Sequence, residues 1–281
     1  MISVVIPCFN SGKYLPETIN SILAQKYTDY EILIVDDGSN SQSTLDLLFN
    51  LNKLNNISVY FQQKKGVSSA RNFGASISKG DFLIFLDADD LIHEMYFEAA
   101  IEIFHRDSNI EYVYCDLQEF GISNVKRKTA DFDLKSTLLS NPSHISGIVK
   151  KSLWLKIGGF DLEFVNGWED WEYHIRLIKN CKKFTKIKET YFFYRISLES
   201  RERSLRNHHK IYLENMIFKK HLLDYLIHYP MIISQLRKKN EIQQEINNLK
   251  ISIHNIYHSL SYRIGNFFLF PLKLIRKILN V

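Results

Sequence analysis

The chain has 281 residues, of which 45% are hydrophobic and 24% are charged. These values are ordinary for a globular protein and allow a sizeable core. No apolar run reaches the roughly 18 residues that a bilayer span needs, so we expect no transmembrane helix. The net charge of +5 is uneven, because residues 201–281 carry 14 Lys and Arg against 5 Asp and Glu, while residues 1–200 carry 22 against 26. A basic tail suggests an anionic partner, usually a membrane surface or nucleic acid.

The compartment is indicated by the cysteines and by the N-terminus. Cys8, Cys115 and Cys181 are scattered and are not spaced as metal ligands. They are typical of reduced thiols, so we expect a cytoplasmic protein. Residues 2–6 read as a strand with no basic segment before them, which indicates no signal peptide.

Apolar strands alternate with helices over the first 116 residues. Strands are predicted at residues 2–6, 31–35, 57–61, 82–86 and 112–115, with helices at about 15–25, 41–54, 70–73 and 95–104. This alternation predicts an α/β fold with a mostly parallel, doubly wound sheet. Beyond residue 116 we predict a strand at 145–149, helices at 151–156 and 170–180, and a last strand at 191–194. After residue 205 the chain reads as helical.

Three carboxylates, Asp87, Asp89 and Asp90, directly follow the fourth predicted strand. Open α/β sheets bind ligands at this carboxyl edge. Carboxylates clustered there would repel one another, and a bound divalent cation is the simplest reason to keep them. The alternative is a solvated acidic loop that caps a helix starting near Leu91.

Asp36 and Asp37 follow the second strand at the same edge. Such carboxylates can accept hydrogen bonds from a base N–H or a ribose hydroxyl, although turn chemistry and helix capping are alternatives. Arg71 follows a glycine-containing loop and suits phosphate or base contact, with an ordinary surface arginine as its alternative.

The segment Trp168–Trp171 places Glu169 and Asp170 between two tryptophans. Tryptophan stacks on sugar rings, and apolar surroundings raise the pKa of a carboxylate toward that of a useful base. The alternative is a helix N-terminus in which the dipole favours acidic residues.

In this order the motifs resemble the family 2 inverting glycosyltransferases, which have the nucleotide-sugar-binding GT-A fold. The resemblance covers roughly residues 1–205. The matching positions are Pro7 and Asn10, D-D-G-S at 36–39, Gly66 with Arg71 and Asn72, D-A-D-D at 87–90, G-G-F-D at 158–161, Glu169 with Asp170, and Tyr194 with Arg195.

The resemblance implies a nucleotide-sugar-binding half at residues 1–116 and an acceptor-binding and catalytic half at 117–205. Residues 206–281, which it does not cover, are predicted from their pattern to be a helical extension. It implies Asp170 as the catalytic base with Glu169 beside it, and Mn²⁺ or Mg²⁺ bound by Asp89 with help from Asp87. Asp36 or Asp37 would contact uridine, and Arg71 the base or diphosphate. The donor-binding set is Pro7, Asn10, Asp36, Asp37, Arg71, Asp87, Ala88 and Arg195, and the acceptor set is Trp168 and Trp171.

One position departs from the family, which often has a histidine where this chain has Ser197. Substitutes are available downstream in Arg201, Arg203, His208 and His209. The Q-x-x-R-W mark of processive members is absent from the sequence, which favours a single-addition enzyme.

The sequence lacks the motifs of other classes of nucleotide-binding enzyme. The first strand is not followed by G-x-G-x-x-G, by a P-loop, or by the glycine-rich basic loop expected of a nucleotidyltransferase. A non-catalytic nucleotide-sugar-binding or partner-binding member remains as the alternative. By analogy with the family, the setting is bacterial surface polysaccharide assembly.

The C-terminal region carries two further patterns. Apolar residues at 242, 246, 249, 253, 256 and 260 form a heptad seam, which predicts a homodimer or, alternatively, packing onto the catalytic domain. Residues 261–281 are basic and amphipathic, which favours a peripheral anchor on an anionic membrane. At the membrane the enzyme would meet its expected acceptor, a glycan or a lipid-linked sugar. We expect no nucleic-acid binding, because the dense aliphatic side chains of this segment would make no favourable contact with phosphates.

Overall fold

The computed structural model describes residues 1–141, 143–165, 167–197 and 207–258. The chain divides into two compact units, Met1–Leu222 and a second that begins at Leu223. The first unit contains the sheet and every candidate site residue up to Arg195.

The first half of the sheet is parallel, as predicted. Strand β1 lies between β2 and β4, and β3 pairs with the outer side of β2. Both faces are packed, because β1 and β2 are buried almost throughout by two separate apolar clusters. The elements are β1 (Ile2–Cys8), α1 (Leu15–Leu23), β2 (Tyr30–Asp36), α2 (Gln42–Leu51), β3 (Ile57–Phe61), α3 (Val67–Ile77) and β4 (Phe82–Phe85).

Beyond β4 the sheet becomes mixed. Strand β8 is antiparallel to both β4 and β6, β9 is parallel to β6, and β5 closes this side against β9. The elements are β5 (Leu91–Ile92), α4 (Tyr96–Arg106), β6 (Tyr112–Gly121), β7 (Lys126–Arg127), α5 (Leu134–Leu139), β8 (Ile148–Lys150), α6 (Lys151–Ile157), α7 (Glu169–Asn180) and β9 (Phe184–Ile196).

Several boundaries correct the sequence predictions. Leu91–Ile92 is a short strand and the next helix begins at Tyr96, so the interpretation of the acidic loop as the cap of a helix at Leu91 is wrong. Strand β9 starts at Phe184, well before the predicted residue 191, because pairing with β6 holds a segment whose lysines break the apolar pattern. Strand β8 starts three residues later than predicted.

The C-terminal region is helical, as predicted, over the residues that the structure describes. Helices α8 (Asn207–Lys220) and α9 (Leu222–His258) account for it. Four seam side chains on α9, Ile242, Ile246, Leu249 and Ile253, are 40–56% exposed. The predicted anchor at 261–281 lies outside the described residues. Among the helices described, none is long and apolar enough to cross a bilayer.

Candidate functional site

The carboxyl edge of the parallel strands gathers the acidic motifs. Asp36 ends β2 and Asp87 follows β4. Strand β1 lies between them, which separates these two strand ends by roughly 10 Å at the usual spacing. The sequence prediction that both motifs share this edge is therefore confirmed.

Asp36 and Asp37 fasten the loops of this edge. Asp36 accepts a hydrogen bond from the Ser39 backbone N–H at 2.9 Å. The buried Asp37 accepts from the backbone N–H groups of Lys65, at 2.7 Å, and Gly66, at 2.9 Å, and from the Gln62 amide at 2.7 Å. Any role of these carboxylates toward a nucleotide therefore includes shaping the two loops that surround it.

The loop after β1 is joined to the loop after β2 through Asn10. Its side-chain oxygen accepts from the backbone N–H groups of Asn40 and Ser41, each at 3.0 Å, and Asn10 adopts a left-handed backbone conformation with φ of 52°. Pro7 is paired opposite Val35 in the sheet. These contacts fix the loop whose geometry a donor would meet.

Phe9 is a residue of this edge that the sequence analysis missed. Its ring is 38% exposed, and the ammonium of Lys64 lies 3.8 Å from the ring centroid. The available signal was its position, because an aromatic residue directly after the first buried strand lies at the edge where open α/β sheets bind ligands.

Arg71 forms the buried electrostatic centre of the site. Its guanidinium donates to Asp87 Oδ1 at 2.6 Å and to Glu169 Oε1 at 2.9 Å, and it lies over the Phe160 ring at 5.3 Å. Burial alone would lower the pKa of Arg71, but these two carboxylates raise it, so the group stays charged. Arg71 thus links α3, the acidic loop and the start of α7.

A glycine turn places Phe160 beneath Arg71. Asn72 clamps it, donating to the Phe160 carbonyl and accepting from the Phe160 N–H, both at 2.7 Å. Gly159 has φ of 70°, and a Cβ there would lie 2.5 Å from Asn72 Oδ1. Glycine is therefore required by both conformation and space at this position.

Asp170 lies in the first turn of α7 and accepts one hydrogen bond at each carboxylate oxygen. Oδ1 accepts from the Trp171 N–H at 2.8 Å and Oδ2 from the Asn141 amide at 2.7 Å. Burial, and then the neighbouring Glu169 carboxylate, raise the pKa of Asp170 to about 7, while Arg71 opposes the shift. A carboxylate with a pKa near neutrality has the acid–base properties that the sequence analysis expected of a base.

The two tryptophans have different surroundings. Trp171 is buried and its indole N–H donates to the Thr137 carbonyl at 2.5 Å, which fastens α7 to α5. Trp168 is only partly buried and its ring lies edge-on to Trp171 at 5.3 Å. Trp168 therefore has the more accessible aromatic surface, and Trp171 supports it.

Arg195 braces the acidic loop. Its Nε donates to the Asp89 carbonyl at 2.8 Å and its backbone N–H to Asp90 Oδ1 at 2.9 Å, while Nη2 reaches Glu17 at 2.8 Å. The guanidinium also lies between the rings of Tyr14 and Phe120, about 4.4 and 4.3 Å from their centroids. These contacts make Arg195 a support for the loop, and a direct contact with the donor stays a prediction.

The acidic loop has the donor set for a hard cation. Burial, and then the Asp87 carboxylate, raise the pKa of Asp89 to about 6. This mutual repulsion is what a bound cation relieves. The described residues hold no cluster of three or more metal-ligating side chains. Two carboxylates nevertheless suit Mg²⁺ or Mn²⁺, because such ions take their remaining ligands from water and substrate phosphates.

The histidine position of the family is occupied by Ser197 here. Two of the predicted substitutes, Arg201 and Arg203, lie outside the described residues, and the same holds for the side chain of His208. His209, on α8, stacks on Tyr212 with centroids 6.1 Å apart. The substitute therefore stays a prediction.

Sheet and site together define a GT-A-like protein, with a carboxylate-lined edge and a raised-pKa aspartate on the neighbouring helix. The family model for glycosyl transferase family 2 matches residues 3–154, more than half of the chain, and the chain belongs to this family.

Individual relatives match this chain at low sequence identity or over only part of its length. An uncharacterized glycosyltransferase of Haemophilus influenzae is 26% identical over 198 residues, which cover 67% of this chain and 65% of that protein. The chain thus spans slightly less than two thirds of this relative. Poly(ribitol-phosphate) beta-N-acetylglucosaminyltransferase TarP of Staphylococcus aureus is 42% identical over 103 residues, covering 34% of this chain and 31% of TarP.

Among solved structures, residues 1–349 of S. aureus TarS in complex with UDP-GlcNAc superpose with a TM-score of 0.62 at 20% identity. The match covers 73% of this chain and 61% of the TarS chain. The likeness supports the fold.

Proposed function

We propose that this protein transfers a sugar from a nucleotide sugar to an acceptor hydroxyl, with inversion at the anomeric carbon. The nucleotide that we propose is UDP. The main evidence is the environment of Asp170. This carboxylate has a raised pKa and lies at the start of α7, next to Glu169, which pairs with Arg71, and to the partly exposed Trp168. Family membership supports sugar transfer, and the raised pKa supports a base.

The donor would lie over the carboxyl edge between the loops that Asn10, Asp36 and Asp37 hold. The TarS relative binds UDP-GlcNAc, as its structure shows, which supports a UDP-linked donor in the same fold. Arg71 has two carboxylate partners already, so we infer that it acts on the donor by holding Asp87 in place. Ala88, within the acidic loop, is buried in an apolar cluster against the sheet and so keeps this loop close to it.

In the reaction, Asp170 takes the proton of the acceptor hydroxyl as that oxygen attacks the anomeric carbon. The diphosphate leaves from the opposite face, so the configuration inverts. Glu169 forms an ion pair with Arg71, so we assign it to positioning Asp170 and not to taking the acceptor's proton. Asp89 and Asp87 would hold Mn²⁺ or Mg²⁺, which supplies neutralisation of charge on the leaving diphosphate. One base suffices, unlike the two carboxylates of glycoside hydrolysis.

The kinds of sugar and acceptor that we propose follow from one relative. TarP is named as a β-N-acetylglucosaminyltransferase on poly(ribitol-phosphate), which supports a hexosyl or N-acetylhexosaminyl donor and a surface-polymer acceptor. Trp168 is the ring we assign to acceptor stacking. A cytoplasmic enzyme resting on the inner face of the membrane would meet a glycan or lipid-linked acceptor there.

Release of nucleoside diphosphate from a panel of sugar nucleotides, with candidate acceptors present, tests the proposal. The wild type should release diphosphate with at least one donor and Asp170→Asn should not. The alternative, a non-catalytic nucleotide-sugar-binding member, rests on Ser197 at the family's histidine position. It would show donor binding without release by either protein.

A further inference from the structure

Asn141 lies between Asp170 and a buried histidine. Its amide nitrogen donates to Asp170 Oδ2 at 2.7 Å, and its oxygen lies 2.8 Å from His174 Nδ1. The three residues come from the segment after α5 and from one face of α7, since Asp170 and His174 are four residues apart on that helix. The contacts form a continuous chain from the protein interior to the base.

The chain has a defined direction. Because the Asn141 nitrogen is the donor to Asp170, its oxygen faces His174 and accepts a hydrogen bond from the Nδ1–H group. His174 is fully buried. Burial, with His144 and Arg71, lowers its pKa to about 3. The ring is therefore neutral, its one proton sits on Nδ1, and Nε2 has no hydrogen-bond partner among the described residues.

We propose that Asn141 is a positioning residue for Asp170, and that His174 fixes the Asn141 amide so that it presents N–H rather than oxygen to the base. This rests on the proposed function of Asp170. An amide free to rotate could turn its oxygen toward the carboxylate, where two acceptors repel. A buried donor on the far side of the amide prevents that rotation.

The expected consequence concerns the ionised base. A hydrogen bond to a carboxylate favours its charged form, so losing it raises the pKa of the base. The other charged groups around Asp170 are Glu169 on the same helix and Arg71 on α3, and neither is altered by substitution of Asn141. Activity that needs the deprotonated base therefore shifts to higher pH when this donor is lost.

The decisive measurement is the pH profile of kcat for Asn141→Ala. We expect the acid limb to move up by about one to two pH units, and kcat at pH 7 therefore to fall about 5- to 50-fold, as for the loss of a hydrogen bond to a charged group. KM for the donor should change little. Asn50→Ala, an exposed asparagine on α2 that accepts a hydrogen bond from Lys53, is the matched control and should leave the profile unchanged.

Two substitutions of His174 test the second half of the proposal. Asparagine places an N–H where Nδ1 stood, so His174→Asn should keep the wild-type acid limb. His174→Leu has a similar shape without a donor and should move the limb as Asn141→Ala does. Equal profiles for the two, with Tm values showing both folded, would overturn the role of His174.

An unchanged acid limb in folded Asn141→Ala would overturn the role of Asn141. Loss of transfer in Asp170→Asn alongside that result would leave the proposed function standing. If the wild type shows no transfer, ¹³C NMR titration of the Asp170 carboxyl in wild type and Asn141→Ala measures the same pKa difference directly. Equal titration curves would then contradict the inference.

Discussion

Arg71 Nη1 lies 2.9 Å from Glu169 Oε1, although 98 positions separate these residues in the chain. This buried ion pair joins α3, which follows the donor-side loops, to the first turn of α7, which carries Asp170. The same guanidinium binds Asp87 at 2.6 Å. One side chain therefore fixes the acidic loop after β4 relative to the first turn of α7, the two parts of the site that we assign to donor and acceptor.

Replacing Arg71 with lysine should destabilise the protein although the charge is kept. An ammonium cannot match the planar fork that serves two carboxylates at once, so one buried carboxylate loses its partner. We expect a loss of about 1.5–3 kcal/mol, which lowers Tm by roughly 3–12 °C. Thermal unfolding measures it. Arg106→Lys, on the exposed end of α4, is the control, and equal Tm values for both variants would contradict the bridging role.

Activity should require Mn²⁺ or Mg²⁺ held through Asp89. Excess chelator should abolish diphosphate release, and Asp89→Ala should reduce it more than about 100-fold, corresponding to several kcal/mol of charge stabilisation. Asp89→Ala is a cleaner test than Asp87→Ala, because Asp87 also pairs with Arg71. Asp46→Ala, exposed on α2, serves as the control. Full activity in chelator would exclude the metal role.

The exposed seam on α9 should form a homodimer. A charge at Ile246 would be buried in such an interface, so Ile246→Glu should give a monomer where the wild type is a dimer at micromolar concentration. Ile251→Glu introduces the same charge off the seam, at a residue that is 59% exposed, and should remain dimeric. Light scattering distinguishes the states. A monomeric wild type would remove the dimer from the account.

Residues 261–281 should bind anionic membranes. Their basic and aliphatic residues suit the bilayer interface, so the full chain should float with anionic liposomes and far less with neutral ones. A chain ending at Leu260 should not float with either. Flotation that is the same for both chains would count against the anchor.

The sequence predicts the parallel half of this fold well, because strands such as 31–35 and 82–86 are short apolar runs that end at turn residues. The prediction fails where a strand is formed by pairing with its neighbour and not by an apolar pattern of its own. Strand β7 is only Lys126–Arg127 and exists because β6 is beside it. The acidic motifs of the site carry local signals, whereas Asn141 carries none, since its contact with Asp170 depends on how α5 packs against α7.

We expect Asp170 to act on the acceptor and not on the donor. Calorimetric titration of the sugar nucleotide into Asp170→Asn, with turnover measured on the same sample, separates these two roles. A base acts only in the transition state, so transfer should disappear while donor affinity stays within about twofold of the wild type. Loss of donor binding together with transfer, or retention of transfer, would show that Asp170 is not a base acting on the acceptor.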